Sequence, residues 1–503
     1  MSDESSGISR RKMLTTATSA TSAIAAGSLI THADLESISG QMNTNSKPSA
    51  LRITDMRGVI ASPLYERDLR YLFRLETNQG IYGWGDVRAQ ASMTYALELK
   101  RLIVGMNPCD VASILSRIKQ HGGNGVTGGG VSAVEMACWD LAGKAWGVPV
   151  WQMLGGKFRD RVLLYADTTS SIKADEMANH LLERIPETPS SGGFKFLKMD
   201  LNFGSIAGAE NVIRPPASPA AAQAAAGRGG RGGQGMEGQG GRGGEGGRGG
   251  EGGRGGPGGM GMGGMGMGGY GSTYFNGGQI TEKGLQNIAD FCAAVRQKVG
   301  YNIPLACDHV GNFNVETLIQ CCKVTEKYKL AWVEDPVPWQ HTDDLVRIKN
   351  SCNQPICTGE DVYLATGFKD LFEKRAVSII HPDVAECGGI LEAKKISDLA
   401  TQYSIATAFH NHNNPTCCFA SVHAAAACEQ FMALEIHDCD HIDEFFSVVT
   451  GWQKPVIVNG FMTVPDTPGM GHDYDLEGLK KWLKRPGFFE PTTEWDHMSA
   501  GMM

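Results

Sequence analysis

Residues 331–339 read AWVEDPVPW, an apolar run that ends in two carboxylates and a proline, with Leu330 extending it on the N-terminal side. A carboxylate at the end of a core strand is costly unless it is paired or holds a metal ion. The pattern recurs along the chain. IPLACDH, PICTGED, AVSIIHPD, SIATAFH and FMALEIHD are also short apolar strands that close on ionisable residues. Asp308, Glu334, Glu360, Asp383, His410 and Glu435 follow one another at steps of 26, 26, 23, 27 and 25 residues. Such a step is one strand plus one helix, and strand–helix alternation predicts a parallel sheet. With FKFLKMD and a strand near Val162–Tyr165, the run suits an eightfold barrel whose strand ends share one mouth.

Asp308, Glu334 and Glu360 come from three adjacent strands of this scheme. Converging carboxylates raise one another's pKa values unless a cation balances them. An oxygen-only donor set, without Cys or His, predicts Mg²⁺. Asp335 is expected to point away and cap the following loop. Asp383, after a proline, is the member of the series that a helix cap or salt bridge would explain equally well.

Upstream of the barrel the reading differs. LRITDMRGVIAS and RYLFRLETNQGIYGWGD read as strands, with a turn at Asn78-Gln79-Gly80. Residues 93–120 read as helices, and VSAVEMACWDLAGKAW (131–146) as an apolar helix closed by Gly147. The expected organisation is an α+β capping domain over 51–160, a barrel over 161–455 and a C-terminal segment over 456–503. The barrel carries an insert, 205–275, whose core (227–269) is almost all glycine with interspersed Arg, Glu and Met. Such a segment has little to bury and is expected to be disordered. RGG-type RNA binding is disfavoured, because no aromatic is interleaved before Tyr270.

The N-terminus reads as a targeting segment. Ser9-Arg10-Arg11-Lys12-Met13-Leu14 is a twin-arginine pattern followed by an Ala/Ser/Thr-rich stretch. Residues 1–33 are therefore expected to be a Tat-type signal peptide and 34–50 a linker, which makes the Tat export machinery a partner and the periplasm the destination. No other apolar run is long enough to span a membrane. The thirteen cysteines are an odd number, several inside apolar stretches, and do not form a disulfide framework. A net charge of −8 gives no support for nucleic-acid binding.

The chain resembles the enolase superfamily in its mandelate racemase-like subgroup, and most of all the galactonate dehydratase-like acid-sugar dehydratases. The motifs are GVSAVEMACWDLAGKAWGVPVWQMLGG, FLKMD, LACDH, WVEDPVPW, PICTGED, IHPDVAECGGILEAKKIS, TAFHNHNNP, LEIHD and VNGFMTVPDTPGMGHDYD. The resemblance implies a modified (β/α)7β TIM barrel, capped by the N- and C-terminal segments, and a homo-oligomer. It implies Asp308, Glu334 and Glu360 as Mg²⁺ ligands, His410 with Asp383 as the base and its orienting acid, and Lys198 and Glu435 at the substrate carboxylate. The expected reaction is abstraction of the proton α to the carboxylate of a sugar acid. A metal-stabilised enediolate then loses the β-hydroxyl and yields a 2-keto-3-deoxy acid. Lys198 and a protonated Glu435 would add charge and hydrogen bonds to the same oxygens. The alternatives are an epimerase, racemase or cycloisomerase using the same enolate, or a metal-binding barrel without turnover.

Two departures from the family pattern bear on mechanism. Asp200 stands where a racemase has its second lysine, and Lys195 reads as a surface residue. Val310 stands where galactonate dehydratase-like enzymes carry a histidine, and His309 is expected to point outward unless the strand ends there. The leaving-group acid is thus unassigned, with His410 itself, His412, Asn312 and His437 as candidates. Cap loops around Ser62–Arg70 and His121–Gly130 are expected to select the substrate.

Overall fold

The computed structural model describes residues 47–62, 70–88, 91, 93–213, 278–311, 313–437 and 439–490. The expected signal peptide, most of the linker, the Gly-rich core of the insert, most of the Ser62–Arg70 loop and Asn312 lie outside them. Of the linker, Pro48–Ala50 form a 3-10 turn, and Lys47 N–H donates to Gln79 Oε1 at 2.8 Å.

Strands β1 (Ile53–Ile60), β2 (Tyr71–Thr77) and β3 (Tyr82–Val87) make an antiparallel meander. The helix Gly129–Trp146 lies against β3, and almost all of it is buried. The contact depends on two glycines: a Cβ on Gly83 or Gly85 would stand 2.2 or 2.0 Å from a carbonyl oxygen of that helix. The C-terminal segment rejoins this unit, since Ser62 N–H donates to Trp482 O and Lys484 N–H to Ile60 O.

The larger sheet begins with β4 (Arg161–Thr168) and β5 (Leu197–Asp200). A short antiparallel pair follows, β6 (Val212–Ile213) with β7 (Gln279–Ile280). The expected disorder from residue 205 is corrected here. Phe203 and Ala207 are buried, Asn202 caps the helix Phe203–Ala207, and order continues through Ile213. These residues have large apolar side chains to bury, of which the glycine tract has few.

The sheet continues through β8 (Leu305–Asp308), β9 (Val333–Glu334), β10 (Ile356–Thr358), β11 (Ile379–Ile380), β12 (Ala406–Thr407) and β13 (Leu434–Ile436). All are parallel, in the order β12-β11-β10-β9-β8-β5-β4-β13. The two ends of that order meet beyond β12. Phe409 bridges Leu434 in parallel, Phe409 N–H donates to Ala433 O, and Glu435 N–H donates to Phe409 O, which closes the barrel. Helices follow the first seven of these strands, and β13 leads only into short turns, giving (β/α)7β. Strand β14 (Val449–Thr450) pairs with β16 (Asp473–Tyr474), and β15 (Phe461–Thr463) pairs antiparallel with the start of β4.

Each barrel strand places one side chain in a common interior ring: Tyr165, Phe196, Ala306, Trp332, Cys357, Ile379, Ala408 and Ala433. All thirteen cysteines are free thiols and eleven are buried. Among the described residues, no helix is long and apolar enough to cross a membrane.

Candidate active site

Side chains alternate along a strand, so residues two further on share the same face. Two residues past the apolar ring stand Asp167, Lys198, Asp308, Glu334, His381, His410 and Glu435. Only β10 breaks the register. Its position is Gly359, with φ +135°, and the next residue, Glu360, carries the carboxylate instead. All of these ionisable side chains are at least four-fifths buried.

Lys198 is the hub. Its Nζ lies 2.6 Å from Glu435 Oε1, 3.0 Å from Glu334 Oε1, 3.2 Å from Asp308 Oδ2 and 4.0 Å from Asp167 Oδ2. Against the cost of burial, these acids hold the ammonium well above its ordinary pKa. Burial and the charge of Asp308 push Glu334 up to about 8, against the pull of Lys198 and His381. Burial opposes ionisation of Glu435, but Lys198 and His410 lower its pKa from the ordinary value, and its Oε1 orients the Lys198 ammonium.

The His410–Asp383 pair is formed. His410 Nδ1 is 2.7 Å from Asp383 Oδ2, and Asn413 Nδ2 and the Ala385 amide donate to the same carboxylate. On its other edge, His410 Nε2 is 2.9 Å from Glu360 Oε2. Burial opposes it, but Glu360 and Glu435 raise the imidazole well above its ordinary pKa. Glu360 is also gripped from the cap: Arg88 donates to its carbonyl at 2.6 Å and contacts its carboxylate at 3.6 Å and Asp361 at 3.1 Å. Sequence reasoning had no means of pairing Arg88, on the cap, with a strand end 272 residues away.

His309, 38% exposed, meets the exception to an outward orientation, since the strand has ended. Strand β8 ends at Asp308, His309 takes φ +51°, and its Nδ1 lies 2.8 Å from Asp200 Oδ1 and 3.5 Å from Asp308 Oδ2. The charge of Asp308, with the hydrogen bond to Asp200, pushes His309 up to about 11. In barrel order β8 and β12 are diametrically opposed, so the His309–Asp200 and His410–Asp383 pairs face each other across the mouth.

Asp167 and His381 were missed. Each was legible as the alternation partner of a neighbour, Asp167 two after Tyr165 and His381 two before Asp383. His381 is fully buried, with Nδ1 3.3 Å from Glu334 Oε1. Asp335 does not cap a loop; with φ +41° it turns toward His381, 3.7 Å away. Lys195 pairs with Glu187 on the surface. His412 and His437 stack face to face, with ring centroids 3.7 Å apart.

Among the described residues, the trio of ligating side chains with donor atoms all within 4.8 Å of one another is Glu334, Cys357 and His381. Asp308, Glu334 and Glu360 are not drawn that close, because each leans on an organic cation: Lys198 for the first two, His410 and Arg88 for the third. Their chemistry nevertheless fits a hard divalent cation. They are buried oxygen donors from three adjacent strands.

Residues 66–155 match the N-terminal domain of mandelate racemase / muconate lactonizing enzyme, and residues 267–478 match the enolase C-terminal domain-like family. A D-xylonate dehydratase of Haloferax volcanii is 28% identical over 421 residues, covering 81% of this chain and 84% of that protein. A D-galactonate dehydratase family member, RspA of Halomonas elongata, is 25% identical, covering 82% and 91%. A mandelate racemase/muconate lactonizing enzyme-like protein of Rubrobacter xylanophilus superimposes with a TM-score of 0.66 at 26% identity, covering 88% of this chain and all of that one.

Proposed function

Because the chain belongs to the enolase superfamily, in its mandelate racemase-like subgroup, we propose that it is an acid-sugar dehydratase that requires Mg²⁺. The observation that carries this reading is the His410–Asp383 pair opening onto a ring of buried carboxylates around Lys198. The names of the relatives support the same class of reaction.

Asp308, Glu334 and Glu360 would hold the cation, which would act as a Lewis acid on the substrate carboxylate. His410 takes the C2 proton on Nε2, while Asp383 fixes the ring and its tautomer through Nδ1. A base must be neutral, so Glu360 has to give up its bond to Nε2; as a cation ligand it would be engaged elsewhere. Lys198, oriented by Glu435, donates to the carboxylate oxygens as negative charge builds on the enediolate. His309, held by Asp200 on the opposite wall, protonates the β-hydroxyl as it leaves. Water is lost, and the resulting enol tautomerises to the 2-keto-3-deoxy acid. This fills the role that sequence left unassigned.

The test is proton NMR in D₂O with Mg²⁺ and a panel of hexonates, pentonates and aldarates. A 2-keto-3-deoxy product is expected. Loss of the C2 proton signal, or inversion, without dehydration would replace the reading with epimerisation. A His309→Asn variant should still exchange the C2 proton but form product slowly. Full product formation by that variant would remove His309 from the mechanism.

A further inference from the structure

The apolar ring and the ring above it leave one carboxylate without a role. Asp167 is nine-tenths buried at the end of β4, and neither of its oxygens accepts a hydrogen bond from a described residue. Its contacts are ion pairs without a hydrogen bond: Oδ2 is 3.4 Å from His437 Nε2 and 4.0 Å from Lys198 Nζ. A buried carboxylate in this state lacks donors, and a ligand can supply them. His437, 39% exposed at the mouth, leans on His412 in a near-parallel stack with 21° between the rings.

The position of this group around the barrel decides what it can touch. The three acids that would hold the substrate carboxylate end are on β8, β9 and β10. The base stands after β12, and the facing His309 stands after β8. Apart from Glu435, which orients Lys198, the sector across β4 and β13 holds Asp167 and His437, with His412 beside them past the end of β12. A sugar acid with C1 at the carboxylate trio, and C2 and C3 between the two histidine–aspartate pairs, has only its remaining hydroxylated carbons to place there.

We propose that Asp167, His437 and His412 form a polyol subsite that receives the substrate hydroxyls beyond C3, a reading that rests on the acid-sugar activity above. A carboxylate has four lone-pair sites and accepts two hydroxyl donors from a vicinal diol. The imidazole edge of His437 adds a donor or acceptor, and the stacked rings offer a flat wall to the C–H face of the chain. Charge-assisted hydrogen bonds of this kind discriminate strongly against a ligand that lacks the hydroxyl, because the buried acid is then left without partners. The subsite therefore sets chain-length preference without touching the reacting carbons.

The full chain with Mg²⁺ is titrated by calorimetry with a hexonate and with glycerate, which ends at C3, and C2-proton exchange is followed on the same samples. The wild type should bind the hexonate more tightly than glycerate. His437→Ala and Asp167→Asn should each weaken the hexonate by about tenfold or more, the equivalent of one hydrogen bond to a charged group, and glycerate by less than about twofold. His437 is exposed, so its variant keeps the test valid if Asp167→Asn fails to fold. Equal weakening of both ligands would mean that the group acts through Lys198 and would overturn the subsite. So would a wild type whose affinity is indifferent to chain length. Chain-length dependence without C2 exchange would leave the subsite standing and sink the dehydratase reading instead.

Discussion

Two rings of side chains, one register step apart, are built by the same eight strands and obey opposite rules. The lower ring sets Tyr165, Phe196 and Trp332, with centroids 5.0 to 5.5 Å apart, against small residues such as Ala306, Ala408 and Ala433. Large and small side chains together fill the barrel, and nothing polar is left over except groups that reach upward. The upper ring packs acids against one lysine, two histidines and an arginine from the cap, all removed from water. The difference teaches where stability ends and chemistry begins. The lower ring gains from burial, whereas the upper ring is tolerated because it can bind and ionise something else. Substitutions in the two rings should therefore fail in different assays.

The largest expected effect is on chemistry alone. His410→Asn should lower C2-proton exchange by about 10³-fold, within the range of a lost general base. Its denaturation midpoint should move little, because the amide can still donate to Asp383. Full exchange by the variant would remove His410 from the base role and leave the upper ring without a working centre.

The mirror experiment is Ile379→Ala in the lower ring. Ile379 is buried and stacked directly beneath His381. Truncation should cost about 3 kcal/mol of unfolding free energy, the usual result of a core cavity. Mg²⁺ affinity, read by calorimetry, should stay near the wild-type value. A large drop in affinity would mean that the two rings are not separable. Glu334→Gln should do the reverse. Loss of an outer-sphere partner commonly costs ten- to hundredfold in metal affinity, so losing a ligand should cost at least about hundredfold. An unchanged calorimetric titration would take Glu334 out of the ligand set.

These contrasts also explain which features are legible in the sequence alone. The strand ends carrying Asp308, Glu334, Glu360, His410 and Glu435 were legible, because β/α units repeat at a nearly fixed length and each apolar run stops at a charge. What escaped depends on backbone turns and on long-range pairing. His309 reaches Asp200 only because its φ is +51°, a conformation that strand alternation does not anticipate. Glu360 is one residue out of register because Gly359 adopts φ +135°. Arg88 and Glu135 act on the barrel from the cap. Glu135 accepts the Ile390 and Leu391 amides at the N-terminus of a barrel helix, a contact across 255 and 256 residues. No local periodicity encodes such a pairing. Lys198 was read as a substrate contact, and its place among four carboxylates emerged only from the closed barrel.

The smallest effect tests the seam between the rings. Trp332 Nε1 donates to Glu334 Oε2 at 2.7 Å, so an aromatic of the lower ring orients an acid of the upper one. Tyr165 makes the parallel contact, with its hydroxyl 3.2 Å from Glu435 Oε2. Trp332→Phe keeps most of the apolar bulk and removes only the donor near Glu334. If orientation passes upward through this bond, unfolding free energy should fall by about 1 kcal/mol, and Mg²⁺ affinity should fall roughly tenfold, as when an outer-sphere partner is lost. Tyr165→Phe removes the equivalent bond to an acid outside the ligand trio, so its Mg²⁺ affinity should hold while C2 exchange slows. If both variants lose Mg²⁺ affinity alike, the effect is general loosening of the barrel. If Trp332→Phe alone loses it, the apolar ring is part of the metal site, one register step beneath the atoms that would bind the ion.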